Sequence, residues 1–215
     1  MAKKIESKDT ILPESPSQRI LLEEYRSIHS EYLNRRDEGV TRLNFFITAA
    51  SVLLGGALVL AGASNFPLVY FKIILLSAIF ILLVIGLEIC NFLVYRDIAS
   101  DRDIRGLARI RNYFTKLDPE LEQYFVTSTS DTPTGYISRN SSGMRRVAQV
   151  IVGFLFGLAL TILSTFLFLS LVLNIVIGVG TTILVILIFE INARRKFKRT
   201  LENVEKNIKF AKKVD

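Results

Sequence analysis

Two acidic residues, Glu88 and Glu190, lie within otherwise apolar stretches of this sequence. Each is followed closely by an amide side chain, Asn91 after the first and Asn192 after the second. Because a charge at the centre of a bilayer costs about 2.5–3.5 kcal/mol, an acid within a membrane span is a candidate for ion handling. These four residues are our candidates for an ion path or an inner vestibule. The plainer alternative is a solvated or salt-bridged helix end, with Glu190 paired to Arg194 four residues later.

Basic residues form two groups that could bind anions. Arg102, Arg105 and Arg109 recur at offsets of three and seven, which places them on one helix face. The second group follows the last apolar stretch and consists of Arg194, Arg195, Lys196, Lys198 and Arg199. Both are candidate contacts for acidic lipid headgroups or another anionic ligand. The alternative for the first group is a solvated surface, and the nearby Asp97, Asp101 and Asp103 favour local ion pairing over an open anion site.

Other chemistry has few residues to carry it. The sequence has one cysteine, Cys90, and one histidine, His29. No disulfide can form within the chain, and no Cys/His spacing indicates zinc. The charged segments show no nucleophile–base pair. We therefore expect a protein that is not an enzyme and has no cofactor, no metal site and no nucleic-acid partner.

The long stretches without charge decide the predicted fold class. Half of the 215 residues are hydrophobic, yet no charge occurs between Arg42 and Lys72 or between Arg146 and Glu190. An apolar run of about 18 residues or more is typical of a transmembrane helix, and the second run is long enough for two. We predict an all-α, four-span transmembrane helical protein with a cytoplasmic helical layer. The predicted segments are a cytoplasmic leader and amphipathic helix (1–43), a first transmembrane hairpin (44–94, with its turn at 63–67), cytoplasmic helices and a loop (95–146), a second transmembrane hairpin (147–193) and a basic cytoplasmic tail (194–215).

Capping signals predict where two helices begin. Ser15 and Gln18 stand three residues apart, and Pro16 lies between them, as in a capping box at a helix start. One apolar face of the helix that follows consists of Leu21, Tyr25, Ile28 and Tyr32. This face can pack on a second apolar face, which consists of Leu107, Ile110 and Phe114. Asp118 and Pro119 predict another start, of a short helix that ends near residue 125.

Turn residues and charge predict where helices end. The stretch 127–143 is rich in Ser, Thr, Asp, Pro and Gly, which is typical of a flexible loop. In the second apolar run we expect the break near Ser170–Asn174, between spans at 147–169 and 174–193. The tail is expected to continue as a helix through Lys213, and its distal part to lie on the membrane or pack against the N-terminal helix. The apolar stripe that would make this contact is Leu201, Val204, Ile208 and Ala211.

Lysine and arginine are distributed unevenly between the spans. Eight precede the first span, nine lie within 95–146, nine follow the fourth span, and Lys72 completes the total of 27. Because loops rich in Lys and Arg stay in the cytoplasm, we predict that both termini and the middle segment are cytoplasmic. The expected location is the cell (plasma) membrane, and the expected partners are the lipid bilayer and its anionic headgroups. A homo-oligomer is also expected, because the spans contain small residues suited to close helix packing.

One stretch resembles a known group of proteins. The residues from Leu107 to Phe114, followed by Asp118 and Pro119, are similar to a segment of small multi-pass bacterial membrane proteins without an assigned function. The order of amphipathic helix, hairpin and charged helix over Pro16–Phe125 also resembles SLATT-type membrane effectors. That family usually has two spans and this sequence has four, so the resemblance is one of layout. It implies a membrane-perturbing or pore-forming effector.

These observations predict a class of activity. We expect a non-enzymatic integral membrane protein, either a membrane-perturbing or pore-forming effector or a scaffold. The alternative is a small transporter or channel, with a solute or ion path between the two hairpins. The polar residues within the spans favour a transporter or channel. The lack of a charged residue near the centre of a span argues against one.

Overall fold

The described residues fold into five α-helices and one short 3-10 helix. The computed structural model describes residues 15–62, 67–138, 143–167, 170–206 and 208, and these contain no β-strand. The helices are α1 (Pro16–Ala61), α2 (Leu68–Leu117), the 3-10 helix (Pro119–Tyr124), α3 (Gly135–Ser138), α4 (Gly143–Thr165) and α5 (Leu171–Glu205). The predicted leader, the turn at 63–66, the end of the flexible loop at 139–142 and the end of the tail lie outside the described residues.

Four of the helices are long and apolar enough to cross a membrane, namely α1, α2, α4 and α5. This confirms the predicted all-α fold with four spans. The polar residues of the described chain form a separate helical layer, which consists of 16–42 of α1, 95–117 of α2, the segment 118–138 and 194–206 of α5. We call this the polar layer. The chain therefore has the architecture of a multi-pass membrane protein with helices outside the bilayer.

The first helix begins at the predicted cap and crosses into the span without a break. The backbone nitrogen of Ser15 donates to the Gln18 side chain at 2.8 Å, and the backbone nitrogen of Gln18 donates to the Ser15 hydroxyl at 3.2 Å. The helix passes straight through Gly39, where the guanidinium of Arg96 fills the space that a β-carbon would need. Gly39 thus provides room for a buried charge from α2.

The second helix includes both the second span and the charged segment that follows it. We expected the span to end near residue 94 and a helical segment to follow, and α2 runs as one helix from the apolar span to Leu117 over 50 residues. At 1.5 Å per residue it is about 75 Å long, more than twice the thickness of a hydrocarbon core. Asp118 then ends it and caps the 3-10 helix, since its side chain accepts from the backbone nitrogen of Glu120 at 3.0 Å. The short helix predicted at this place exists, but it is a 3-10 helix.

The break in the second hairpin lies earlier than predicted. Helix α4 ends at Thr165 and α5 begins at Leu171, so Asn174 lies within α5. The reason is a cap: the Ser170 hydroxyl accepts from the backbone nitrogen of Leu173 at 3.4 Å. The Thr165 hydroxyl also donates to the carbonyl of Ile162 at 2.7 Å, in the last turn of α4. The polar side chains on both sides of the turn fix its position.

The apolar core joins α1, α2 and α4, and α5 packs mainly on α4. The fully buried apolar side chains at its centre are Phe46, Ile79, Leu82, Leu93, Val152 and Leu155. The backbones of α4 and α5 approach closely where Gly157 faces Gly178. By contrast, a β-carbon added at Gly55 or Gly56 would meet no atom of the described chain within 4 Å. The glycines of the third span are therefore used for packing within the chain, whereas Gly55 and Gly56 of the first span are not.

The tail packs on α2 and α3. Phe197 and Ala193 of α5 lie in a small apolar cluster with Val94 of α2 and Ile137 of α3. Of the predicted apolar stripe of the tail, Leu201 packs against this cluster and Val204 is buried, whereas Ala211 lies outside the described residues. Helices α1 and α2 lie side by side in the polar layer, with Ile28 beside Gly106, and Leu107 and Ile110 of the predicted second face are buried.

Candidate functional site

The polar layer is held together by carboxylates that are buried along α2. Asp97 and Asp101 have no exposed surface, and Asp103 is also buried. A buried carboxylate is strongly unfavourable unless a cation and hydrogen bonds compensate for its lost hydration. Each of these acids accordingly meets an arginine. We call the resulting set of contacts the ion-pair network, and it consists of Arg35, Arg96, Asp97, Asp101, Asp103, Arg105, Arg109, Asp131 and Arg145.

Asp97 connects the two hairpins. Arg96 donates to its Oδ1 at 2.8 Å, and Arg145 at the start of α4 donates to its Oδ2 at 3.2 Å. Arg145 has no exposed surface, and its guanidinium lies 4.8 Å from the ring centroid of Phe197 in α5. Cation–π contact adds to the attraction in such a desolvated position. A single buried carboxylate thus holds α2, α4 and α5 together where the apolar spans meet the polar layer.

Asp101 and Asp131 fix the segment that follows the 3-10 helix. Asp101 accepts from Arg105 at 2.8 Å, from the backbone nitrogen of Thr134 at 2.7 Å and from the Thr134 hydroxyl at 2.8 Å. Asp131, which has no exposed surface, accepts from Arg109 at 2.8 Å. We predicted a flexible loop over 127–143. The described part of that loop is instead anchored to α2 by two carboxylates.

Asp103 connects α2 to α1. Arg35 donates to it at 2.6 Å and to Glu31 at 2.8 Å. Burial raises the pKa of Asp103 from its ordinary value of 3.8, although the charge of Arg35 opposes this shift. Further along the same interface Arg111 donates to the Tyr25 hydroxyl at 3.2 Å. The long polar half of α1 is therefore attached to α2 by both charged and aromatic contacts.

The predicted arginine face lies between α1 and α2 and is balanced by acids. Arg102, Arg105 and Arg109 all line a cavity of about 320 Å³. The same cavity is lined by three acids, which are Glu24, Glu31 and Asp103. Arg105 and Arg109 are each paired with an aspartate, and Arg102 is exposed. Equal numbers of each charge make this a mixed polar cavity, as the interspersed aspartates in the sequence suggested.

The four residues proposed for an ion path lie on two helices. Glu88 and Asn91 are exposed on α2, and Asn192 is exposed on α5. Glu190 pairs with Arg194 at 3.0 Å, which is the salt-bridged helix end given above as the plainer alternative.

The basic cluster of the tail divides into paired and exposed residues. Arg194 is bound to Glu190, and the Lys196 ammonium lies 4.6 Å from the ring centroid of Tyr95. The other three members, Arg195, Lys198 and Arg199, are exposed. These three present positive charge on the outside of α5, beyond the end of its apolar part.

Arg96 and Arg145 are buried charges of the ion-pair network that were not predicted from the sequence. Both arginines are adjacent to a predicted span, where a cationic side chain is expected to reach the membrane surface. Nothing in the sequence therefore indicated that these two side chains are buried. Arg145 and Asp97 are 48 residues apart in sequence, and no short motif joins them. Within the described residues, no group of three or more His, Cys, Asp and Glu is placed to hold a metal ion.

Comparison with known proteins gives no relative from which a role could be transferred. Family models, curated proteins and solved structures were each compared with the chain, and none matches. The resemblance to SLATT-type effectors in layout stays a prediction, and function has to be argued from the chain's own geometry.

Proposed function

We propose that the protein is a non-enzymatic integral membrane protein of a bacterial cell membrane, acting as a membrane-perturbing or pore-forming effector. The single observation that carries this proposal is the continuity of α1 and α2. Each runs without a break from the polar layer into an apolar span, over 46 and 50 residues respectively. A continuous helix is stiff, so a displacement of the polar layer also displaces the span. The layout shared with SLATT-type effectors supports the same class.

The ion-pair network supports coupling of the second hairpin to this movement. Asp97 on α2 binds Arg145 on α4, and Arg145 also lies on the ring of Phe197 in α5. Packed elements with buried ion pairs are typical of regions that have a few discrete arrangements. In this proposal the polar layer is the control element, and all four spans respond to it.

The orientation follows from the positive-inside rule. The Lys and Arg residues outside the spans belong to the termini and to the segment between the two hairpins, and this distribution favours a cytoplasmic position for both termini and the polar layer. That side faces the anionic leaflet, which attracts basic segments next to a span. The exposed Arg195, Lys198 and Arg199 of the tail are the proposed contacts with acidic lipid headgroups.

The proposed effector acts as a homo-oligomer. Glu88 and Asn91 face outward from a single chain, and Gly55 and Gly56 leave open space beside α1. A second copy that packs at α1 would make use of these small residues, as membrane helices commonly do. Cross-linking of the purified protein in lipid tests this part, and a monomer at all lipid-to-protein ratios would contradict it.

Permeability of reconstituted vesicles tests the proposed activity. The full chain is placed in liposomes that contain anionic lipid, and release of entrapped dyes of several sizes is compared with flux of ions and small solutes. An effector of this class releases several unrelated solutes without saturation. Saturable flux of one solute would contradict it and support a transporter or channel, and no flux at all would leave a scaffold. The Asp97→Asn variant disconnects the two hairpins and is therefore expected to change the leak. The matched control is the exchange of the exposed Asp37 for Asn.

A further inference from the structure

A second cavity lies where the polar layer meets the spans, away from the mixed cavity between α1 and α2. Its volume is about 470 Å³, and its lining includes Tyr32, Arg36, Arg96, Ser100 and Tyr136. This is within the range of about 300–1,000 Å³ that is typical of small-molecule sites. We call it the Tyr32–Tyr136 cavity. Among the described residues that line it, two are arginines and none is acidic.

The two arginines present positive charge to the cavity in different ways. Arg36 is exposed and makes no ion pair within the described part of the chain. Arg96 is buried and shares Asp97 with Arg145. One of its guanidinium nitrogens donates to the sulfur of Met144 at 3.1 Å.

Three hydroxyl groups add neutral donors to the same cavity. The hydroxyls of Tyr32 and Tyr136 lie 3.4 Å apart, and one hydrogen bond between them leaves one O–H group able to donate elsewhere. The hydrogen bond with Tyr136, together with burial, raises the pKa of Tyr32 to about 12, so this hydroxyl stays protonated at physiological pH. Ser100 is only 5% exposed, lines the cavity, and makes no hydrogen bond to a described residue.

Ser100 lines the cavity, so its hydroxyl is available to a group bound there. Convergent arginine and hydroxyl donors around a space with no acid among its described lining residues are typical of sites for phosphate oxygens. We infer that the Tyr32–Tyr136 cavity binds a phosphate group, carried either by a phospholipid headgroup or by a soluble phosphate compound. The inference goes beyond the proposed effector activity and does not depend on it.

The place of the cavity makes both sources accessible. Arg96 follows the apolar part of α2 by two residues, and Met144 precedes the apolar part of α4 by three. The cavity is therefore at the level where a span leaves the membrane, within reach of a lipid headgroup. It also borders the polar layer, from which a soluble compound could enter. Its volume leaves room for the group that bears the phosphate.

A two-part binding experiment on the full chain separates these sources. In the first part the protein is kept in an uncharged, phosphate-free detergent, and radiolabelled inorganic phosphate is titrated by equilibrium dialysis at constant ionic strength. In the second part it is placed in phosphatidylcholine vesicles with or without phosphatidic acid, and the lipids that stay bound after gentle extraction are identified by native mass spectrometry. Saturable binding in the first part indicates a soluble compound, and selective retention of phosphatidic acid in the second indicates a headgroup.

Matched variants decide whether the binding belongs to the cavity. Arg36→Gln removes an exposed cation of the lining and is expected to weaken binding by about tenfold or more, which is the usual loss for a charge-assisted hydrogen bond. Tyr136→Phe is expected to weaken it by a smaller factor. Arg102→Gln removes an equally exposed arginine from the other cavity and should leave binding unchanged. No binding in either part, or an equal loss in Arg102→Gln, would overturn the inference.

Discussion

At the scale of single residues, Arg145 is the side chain on which the arrangement depends most. It is the largest of the fully buried side chains among the described residues, and it is charged. Burial removes its hydration, and Asp97 and the Phe197 ring are its compensating contacts. Removing one partner of such a pair is more unfavourable than replacing both, because the remaining charge stays buried.

The Asp97→Asn exchange should therefore destabilise the protein strongly. We expect the free energy of unfolding to fall by about 3–5 kcal/mol, since Arg145 would keep its burial but lose the charge of the carboxylate to which it donates. Unfolding in mixed detergent, followed by circular dichroism, measures this value. Asp37→Asn removes an exposed acid from α1 and is the control, with an expected change of less than about 0.5 kcal/mol. Equal stability of the two variants would show that the pair is not a structural centre.

Asp103 gives the protein a pH dependence of unusual sign. Burial raises the pKa of Asp103 above 3.8 in the folded state. Between the pKa of the unfolded state and that of the folded state, the folded protein therefore binds more protons than the unfolded chain. The contribution of Asp103 to stability is thus present at low pH and is lost as pH rises past the folded pKa. The Asp103→Asn variant does not have this loss. Its free energy of unfolding should therefore rise relative to that of the wild type when the pH is raised from about 3 to about 7. Thermal unfolding at both pH values checks this, and a difference that moves the other way would mean that Arg35 outweighs burial.

At the scale of the helices, the number and start of the elements could be predicted from local signals. The cap at Ser15 and the proline at Pro16 act within one turn, and the apolar runs are long enough to identify all four spans. The ends of the helices were less predictable. A serine cap at Ser170 outweighed the polar Asn174, so the break in the second hairpin lies earlier than we predicted.

The candidate site could be predicted only in part for a related reason. The aspartates of α2 and their preference for local pairing were visible in the sequence. The local pair of Arg105 with Asp101 agrees with that preference. The long-range pairs were not visible, because Arg145 pairs with Asp97 across 48 residues and Asp131 pairs with Arg109 across 22. Such contacts depend on how the helices pack, and helix periodicity contains no information about them.

The contact between α4 and α5 provides a test at this scale. A β-carbon at Gly157 would meet the backbone of Gly178 and the side chain of Thr182, whereas one at Gly55 would meet nothing. Gly157→Ala should lower the free energy of unfolding by about 1–3 kcal/mol through overpacking. Gly55→Ala makes the same chemical change on α1 and should leave the stability of the chain unchanged or slightly higher. A similar response of both variants in unfolding experiments would contradict the close approach of α4 and α5.

At the scale of the whole molecule, two membrane hairpins share one polar layer. The layer combines parts of α1, α2 and α5 with the segment at 118–138, and buried carboxylates of α2 hold these parts together. Any signal that changes the layer therefore has a route to all four spans. This account requires that the layer and both termini lie on one side of the membrane, with the turns between the spans of each hairpin on the other.

Labelling of single cysteines in intact cells tests that arrangement most directly. In a Cys90→Ala background, Gly62→Cys places a thiol at the end of α1, Ser128→Cys places one in the polar layer, and Lys206→Cys places one after α5; all three positions are exposed. We expect a membrane-impermeant maleimide to label Gly62→Cys in intact cells, and the other two variants only after the membrane is permeabilised. Labelling of Ser128→Cys or Lys206→Cys in intact cells would contradict the account.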